Sequence, residues 1–192
     1  MENKTTSKTD KRIIKTKQRL IAGFIELLKT KNIKLINVSE LTNAAQVNRA
    51  TFYLHYKDID DFLRQIEDEL IAEYTAVFDK TPLMVSGDSN INMICNVFEF
   101  ISDNAEIITA IVGPNGDATF PPRLSALARR KIISEYMGRY DNNPEMYYSI
   151  YYIINGCIGV IFKWIQSGMK ESPDEMSRIL GKFIVKGVQF IQ

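Results

Sequence analysis

The chain has 192 residues, 45% hydrophobic and 24% charged, which excludes a wholly disordered polymer and leaves room for one larger domain or a small domain joined to a medium one. The formal net charge of +1 hides an asymmetry: residues 1–57 hold 12 Lys and Arg against 4 Asp and Glu, a net +8, while residues 58–192 hold 12 against 19, a net −7. A polyanion-binding segment joined to a non-binding one has this pattern, and so does a solvated basic tail.

The first residues are polar and basic with no apolar segment behind them, so a cytoplasmic location is expected. Cys95 and Cys157 stand apart in apolar surroundings and read as small buried hydrophobes. His55 is the sole histidine, so no metal site is expected; no cofactor is expected either. There is no low-complexity stretch, internal repeat, phosphate loop or nucleophile-base pair. Carboxylate pairs such as Asp103 with Glu106, or Glu67 with Glu69, read as solvated helix faces, and the protein is not expected to be an enzyme.

In chain order, Ile13, Ile14, Leu20, Ile21, Phe24, Leu27 and Leu28 recur at helical spacing and predict an amphipathic first helix over residues 11 to 31. Asn37-Val38-Ser39-Glu40 is a capping box that opens a short second helix through Leu41, Ala44 and Ala45. Gln46-Val47-Asn48 interrupts it. Asn48 caps a third helix running to about Tyr56, and Asp58 caps a fourth, with Asp60 and Asp61 in its first turn. Later stripes are also helical: Phe62, Ile66, Leu70, Tyr74 and Val77; Ile91, Ile94, Phe98 and Ile101; Leu124, Leu127, Ile132 and Tyr136. Punctuation falls at residues 82 to 89, 113 to 122, 141 to 144 and 168 to 173. The expected fold is all-α, with about nine helices in a three-helix N-terminal domain (1–57) and a helical C-terminal domain (58–192).

Met146 to Phe162 carries no charge over 17 positions. It falls short of the ~20 residues a membrane span needs and holds Asn155 and four tyrosines, so a membrane role is not expected. An all-round apolar helix in a small soluble domain takes part of its cover from a second subunit. Gly156 and Gly159 would admit a neighbouring backbone. With Phe162, and with Phe183 and Val188 of the last helix, they form the candidate interface of a homodimer.

Residues 38 to 56 meet the requirement of a helix-turn-helix: a first helix, a tight turn, and a second helix whose exposed face can reach DNA. Phe52 faces inward, with Arg49, Ala50 and Tyr53 opposite. Arg49 can read guanine through two hydrogen bonds and the Ala50 methyl can touch a thymine methyl. Thr51, Tyr53, His55, Tyr56 and Lys57 suit phosphate oxygens, as do the amides near Asn37 and Asp58. Tyr56 and His55 read equally well as packed residues. Lys8, Lys11, Arg12, Lys15 and Lys17 form a basic arm that can track the DNA backbone or enter a minor groove.

The pattern Val38-x-x-Leu41-x-x-Ala44-Ala45-x-Val47-Asn48-x-x-Thr51-Phe52-Tyr53-x-His55-Tyr56-Lys57-Asp58-x-x-Asp61-Phe62-Leu63 resembles the DNA-binding domain of TetR/AcrR transcriptional regulators, over residues 10 to 63. The resemblance implies base or groove contacts from Ser39, Arg49, Ala50 and Tyr53, phosphate contacts from Asn37, Thr51, His55 and Lys57, and a capping role for Asn48. It also implies a regulator that binds a palindromic operator in double-stranded DNA as a dimer and is released by a small-molecule effector, with repression by promoter occlusion the expected output and activation the alternative. One position departs from the family: Gln46 stands where the turn usually has glycine, so the turn either adopts a left-handed conformation without glycine or closes differently.

Beyond residue 63 the match is only general. Tyr74, Phe98, Ile101, Tyr136, Tyr152 and Asn155 are an aromatic, weakly polar set that could line a pocket for a small hydrophobic effector, although each reads by default as core. The competing possibility is a DNA-binding coactivator or assembly factor whose C-terminal domain docks a protein, with residues 113 to 122 as its exposed contact.

Overall fold

The computed structural model describes residues 3–80, 87–140 and 144–189, and within these the side chains other than those at 3–10, 78–80, 87–91, 135–140, 146 and 185–189. Among the described residues there are nine α-helices and no strand: α1 (Asn3–Leu28), α2 (Val38–Ala44), α3 (Arg49–Tyr53), α4 (Ile59–Lys80), α5 (Gly87–Asp103), α6 (Ala105–Val112), α7 (Phe120–Tyr140), α8 (Pro144–Gln166) and α9 (Pro173–Gln189). A 3-10 turn, Ile33–Leu35, lies between α1 and α2.

Packing divides the chain into two compact units, Met1–Asp68 with Glu106–Ala118, and Glu69–Ala105 with Thr119–Gln192. The chain leaves the first unit along α4, returns to it for most of α6 and the loop that follows, and leaves again into α7. This division by packing is a different property from the division of charge near residue 57.

The first unit is built on aromatic rings. Phe24, Phe52 and Phe62 are fully buried. Phe62 meets Phe24 edge-on at 5.4 Å and Tyr56 edge-on at 4.9 Å, and Phe52 lies 5.4 Å from Tyr56. Such tilted and edge-to-face pairs add to the burial energy of each ring, so α1, α3 and α4 are locked at their crossing. Leu20, Leu41 and Ile111, also fully buried, extend this core. α1 passes α2 so closely that a Cβ on Gly23 would stand 2.8 Å from the Ala45 amide nitrogen. The buried stripe of α1 begins only at Leu20: Ile13 and Ile14, expected on its apolar face, are exposed.

In the second unit Phe98 of α5 meets Trp164 of α8 edge-on at 5.0 Å, and the Trp164 indole N–H donates to the Glu171 carbonyl. Ile94, Val97 and Ile101 of α5 and Met176 and Leu180 of α9 are buried where these two helices pack. Trp164 also ends α8 through a Schellman turn: Met169 N–H bonds the Trp164 carbonyl and Gly168 N–H that of Ile165, with Gly168 at φ 86°. Cys157 is half-buried and free, and burial pushes its thiol up to about 11, which suits an unreactive packing residue.

Among the described residues, α8 is not surrounded. From Tyr147 to Gln166 it is long and apolar enough, by length and composition, to cross a membrane, yet only 22% of this stretch is buried. Tyr148 and Tyr152 are 72% and 80% exposed, and Ile179 and Phe183 of α9 are exposed too.

Candidate nucleic-acid interface

The local chemistry of residues 37 to 58 sets the geometry of α2 and α3. The Asn37 side chain accepts from the Glu40 amide at 3.0 Å, and Glu40 accepts from the Asn37 amide at 3.1 Å, closing the capping box. Lys31 reaches the other Glu40 oxygen at 2.6 Å; this contact, then the Asn37 amide, holds the Glu40 carboxyl below the usual range. α2 ends in a Schellman turn, with Val47 N–H on the Thr42 carbonyl at 2.9 Å and Gln46 N–H on the Asn43 carbonyl at 3.1 Å. Gln46 occupies its left-handed position at φ 51°. The family's glycine is absent, and the left-handed turn forms anyway; the Arg19 guanidinium of α1 donates to the Gln46 carbonyl.

The Asn48 side chain then caps α3 by accepting from Ala50 N–H at 2.7 Å. α3 is a short helix, ending at Tyr53 and not at Tyr56. The His55 and Tyr56 amides both bond back to the Phe52 carbonyl, and this closing turn carries Tyr56 into the core. α4 opens with Asp58, which accepts from Asp61 N–H at 2.8 Å, while the Asp61 carboxylate accepts from Lys57 N–H, a contact that lowers the Asp61 pKa.

Phe52 faces inward as its spacing predicts. Arg49, Ala50 and Tyr53 are exposed together. Arg49 is already organised: its Nη2 donates to the Tyr53 hydroxyl at 3.2 Å, and its guanidinium carbon lies 5.6 Å from the centre of the Tyr53 ring. Ser39, Asn48, His55 and Lys57 are exposed, Thr51 is half-buried, and Asn37 presents an exposed cap. Tyr56 requires a correction: it is 6% exposed, packed against Phe52 and Phe62, and so is a core aromatic absent from the exposed face. Lys11, Arg12 and Lys15 are exposed on the N-terminal part of α1; the Lys8 side chain is outside the described residues.

Three features escape a reading of spacing. Arg19 supports the turn from 27 residues away. Leu54, directly after Tyr53, is 78% exposed. Asn115 clasps the first unit: its carbonyl accepts from Ile33 N–H at 2.8 Å and its side-chain amide donates to the Leu28 carbonyl, one of the last in α1, at 3.0 Å. The loop holding Asn115 requires glycine next to it, since a Cβ on Gly116 would collide with the Ile111 carbonyl. The clustering of Gly113, Pro114 and Gly116 marks a loop in the sequence but does not disclose what the loop touches.

The residues expected to line an effector pocket are not gathered in one place. Phe98 and Ile101 are buried, and Tyr74 is half-buried with its ring 5.8 Å from Phe100, and desolvation pushes its phenol pKa above the usual value. Tyr152 and Asn155 stand on the outside of α8, where Asn155 accepts from Arg129 at 3.2 Å, so neither lines an interior with Phe98. The Tyr136 side chain lies outside the described residues. Of the dimer candidates, Gly156 and Gly159 face open space, Phe162 is half-buried and Phe183 is 62% exposed, while the Val188 side chain lies outside the described residues. One grouping among the described residues brings metal-ligand atoms together, Cys95, Glu99 and Asp174 within 4.8 Å of one another. Desolvation first, then the two carboxylates, raise the Cys95 pKa, and the protonated thiol makes weak 3.7 Å contacts to both.

An all-α chain with a capped helix-turn-helix and a separate helical unit defines the class of helical transcriptional regulators. Residues 88–186 match a family model described as a transcriptional regulator C-terminal region of the TetR type, and the chain belongs to the TetR family of transcriptional regulators. Solved structures share the fold. A fatty acid degradation regulator from Bacillus halodurans superposes with a TM-score of 0.63 at 10% identity, covering 88% of this chain and 94% of its own. A TetR transcriptional regulator from Streptococcus agalactiae gives 0.60 at 19% identity, with 94% and 99% covered. The dihydroxyacetone kinase operon activator DhaS gives 0.61 at 15% identity, with 91% and 97% covered. No curated protein sequence matches the chain significantly.

Proposed function

We propose that two copies of this chain bind an inverted-repeat operator in duplex DNA, and that a small hydrophobic effector releases them. The observation that carries the reading is the exposed Arg49-Ala50-Tyr53 face of a helix anchored from behind by fully buried Phe52. The net +8 of residues 1–57 supplies the sequence-independent attraction to phosphates, and Ser39, Thr51, His55, Lys57 and the cap at Asn37 flank the reading face. We assign residues 1–57 to DNA binding and 58–192 to effector binding and dimerisation.

The uncovered sides of α8 and α9 are given to a second copy of the chain. Gly156 and Gly159 leave room for a close approach, and Tyr148, Tyr152, Ile179 and Phe183 supply apolar area for burial. A four-helix interface of this kind would hold two reading heads about 34–36 Å apart, the spacing of successive major grooves on one DNA face. α4 runs from the first packing unit into the second, and α6 returns to the first with the Asn115 clasp beside it. A ligand that favours another arrangement of the second unit therefore acts on the DNA-binding unit through the three places where the chain passes between them, by as much as its affinities for the two states differ. An operator across a promoter makes repression the expected output, exerted in the cytoplasm.

The test is an unbiased selection of duplex DNA by the purified protein, with its mass in solution measured alongside. Enrichment of an inverted repeat by a dimer supports the reading, and Arg49→Ala should then lose discrimination at one base position. Weak, salt-sensitive binding with no enriched sequence refutes it.

A further inference from the structure

Leu54 is a large apolar side chain placed in water where the fold gives it no work. The first unit buries Leu20, Leu28, Leu41 and Leu63, yet leaves Leu54 78% exposed. Single exposed leucines are common on protein surfaces; what distinguishes this one is its place on α3. Its amide bonds the Ala50 carbonyl at 3.2 Å, and its backbone, at φ −69° and ψ −22°, continues the helical path of α3. Leu54 therefore lies one turn beyond Ala50 on the same face, parallel to the Arg49 and Tyr53 pair. The exposed side of α3 carries two stripes: a cationic-aromatic one, Arg49 with Tyr53, and an apolar one, Ala50 with Leu54.

We propose that Ala50 and Leu54 form an apolar stripe that reads thymine C5-methyl groups, with Leu54 an additional specificity-determining residue for the operator. The proposal rests on the DNA-binding reading above. Leu54 has no polar atom in its side chain, so it can neither bond a phosphate nor pair with a base-edge donor or acceptor. The major-groove feature it complements is the thymine methyl, the one apolar group displayed there. Residues four apart on a helix are offset by about 6 Å along its axis. Base-pair steps rise about 3.4 Å, so the two side chains suit thymines one or two steps apart, next to the position read by Arg49.

The experiment uses the duplex enriched by the full-length protein. Each thymine of a half-site is replaced in turn by deoxyuridine, which removes the C5-methyl and nothing else, and binding is measured for the parent, Leu54→Ala and Leu54→Met. For the parent, at least one position should lose about fourfold in affinity per half-site, the effect of one buried methyl, and about sixteenfold when both half-sites are changed. Leu54→Ala should bind the thymine duplex more weakly and be indifferent to uridine at that position, while Leu54→Met keeps the sensitivity. The salt slope and the melting temperature should not change, since Leu54 is neutral and exposed. A uridine profile that is flat for the parent, or the same for parent and Leu54→Ala, overturns the assignment of Leu54 while the operator stands. Failure to enrich any duplex overturns the DNA-binding reading itself.

Discussion

Gln46 places a side chain with a Cβ at φ 51°, in a left-handed position that a Schellman turn ordinarily fills with glycine. For an L-residue this conformation costs roughly 1–2 kcal/mol, and glycine is free of that cost. Glycine in turn loses more backbone freedom on folding, roughly 0.5–1 kcal/mol. Gln46→Gly should therefore stabilise the protein by about 0.5–1 kcal/mol, raising the melting temperature by about 1–4 °C in a chain of this size. The turn's remaining contacts are made by backbone atoms that the substitution keeps: Gln46 N–H on Asn43, Val47 N–H on Thr42, and the Gln46 carbonyl that accepts from Arg19. Arg19→Ala, which removes an exposed contact, should cost about 0.5 kcal/mol or less in either background. Thermal and urea denaturation of the parent, both single variants and the double variant form the assay. A Gln46→Gly protein that melts at or below the parent refutes the strain argument. A cost of Arg19→Ala that differs by more than about 0.5 kcal/mol between backgrounds shows that glycine has changed the turn's shape.

Phe52→Ala should destabilise by roughly 3–5 kcal/mol, because the ring is fully buried among Tyr56 and Phe62 and its removal leaves a cavity; a variant that unfolds at the parent's urea midpoint contradicts this. Phe183→Glu should leave the monomer folded, as the residue is 62% exposed, but convert a dimer to a monomer in sedimentation and abolish cooperative operator binding. An unchanged mass would remove α9 from the interface. Asn115→Ala deletes the hydrogen bond to the Leu28 carbonyl and should cost about 1 kcal/mol in stability. If the clasp transmits the effector's influence, the variant should also lower the ratio of operator affinities with and without effector; an unchanged ratio would confine Asn115 to a structural role.

Local chemistry made much of the reading head legible. The caps at Asn37, Asn48 and Asp58 act on amides two or three residues away, and the inward position of Phe52 follows from helical spacing, so residue order is enough to find them. The resemblance over residues 10 to 63 named the family, and the match over residues 88–186 reached the same conclusion from the other half of the chain.

Tertiary structure decided what depends on which other element arrives. Tyr53 and Tyr56 are the same residue type three positions apart; Tyr53 stays on the surface with Arg49, and Tyr56 turns inward because α3 ends early and the Phe62 ring is there to receive it. Ile13 and Ile14 continue an apolar period into a stretch of α1 that leaves them exposed. The left-handed turn at Gln46 is completed by Arg19, Asn115 of the loop after α6 bonds the end of α1, and the exposed side of α8 is apolar and not covered among the described residues. Helical periodicity records how residues are phased around their own axis. It carries no record of the neighbour that will face them, and burial, the energy that sorts core from surface, is set by that neighbour.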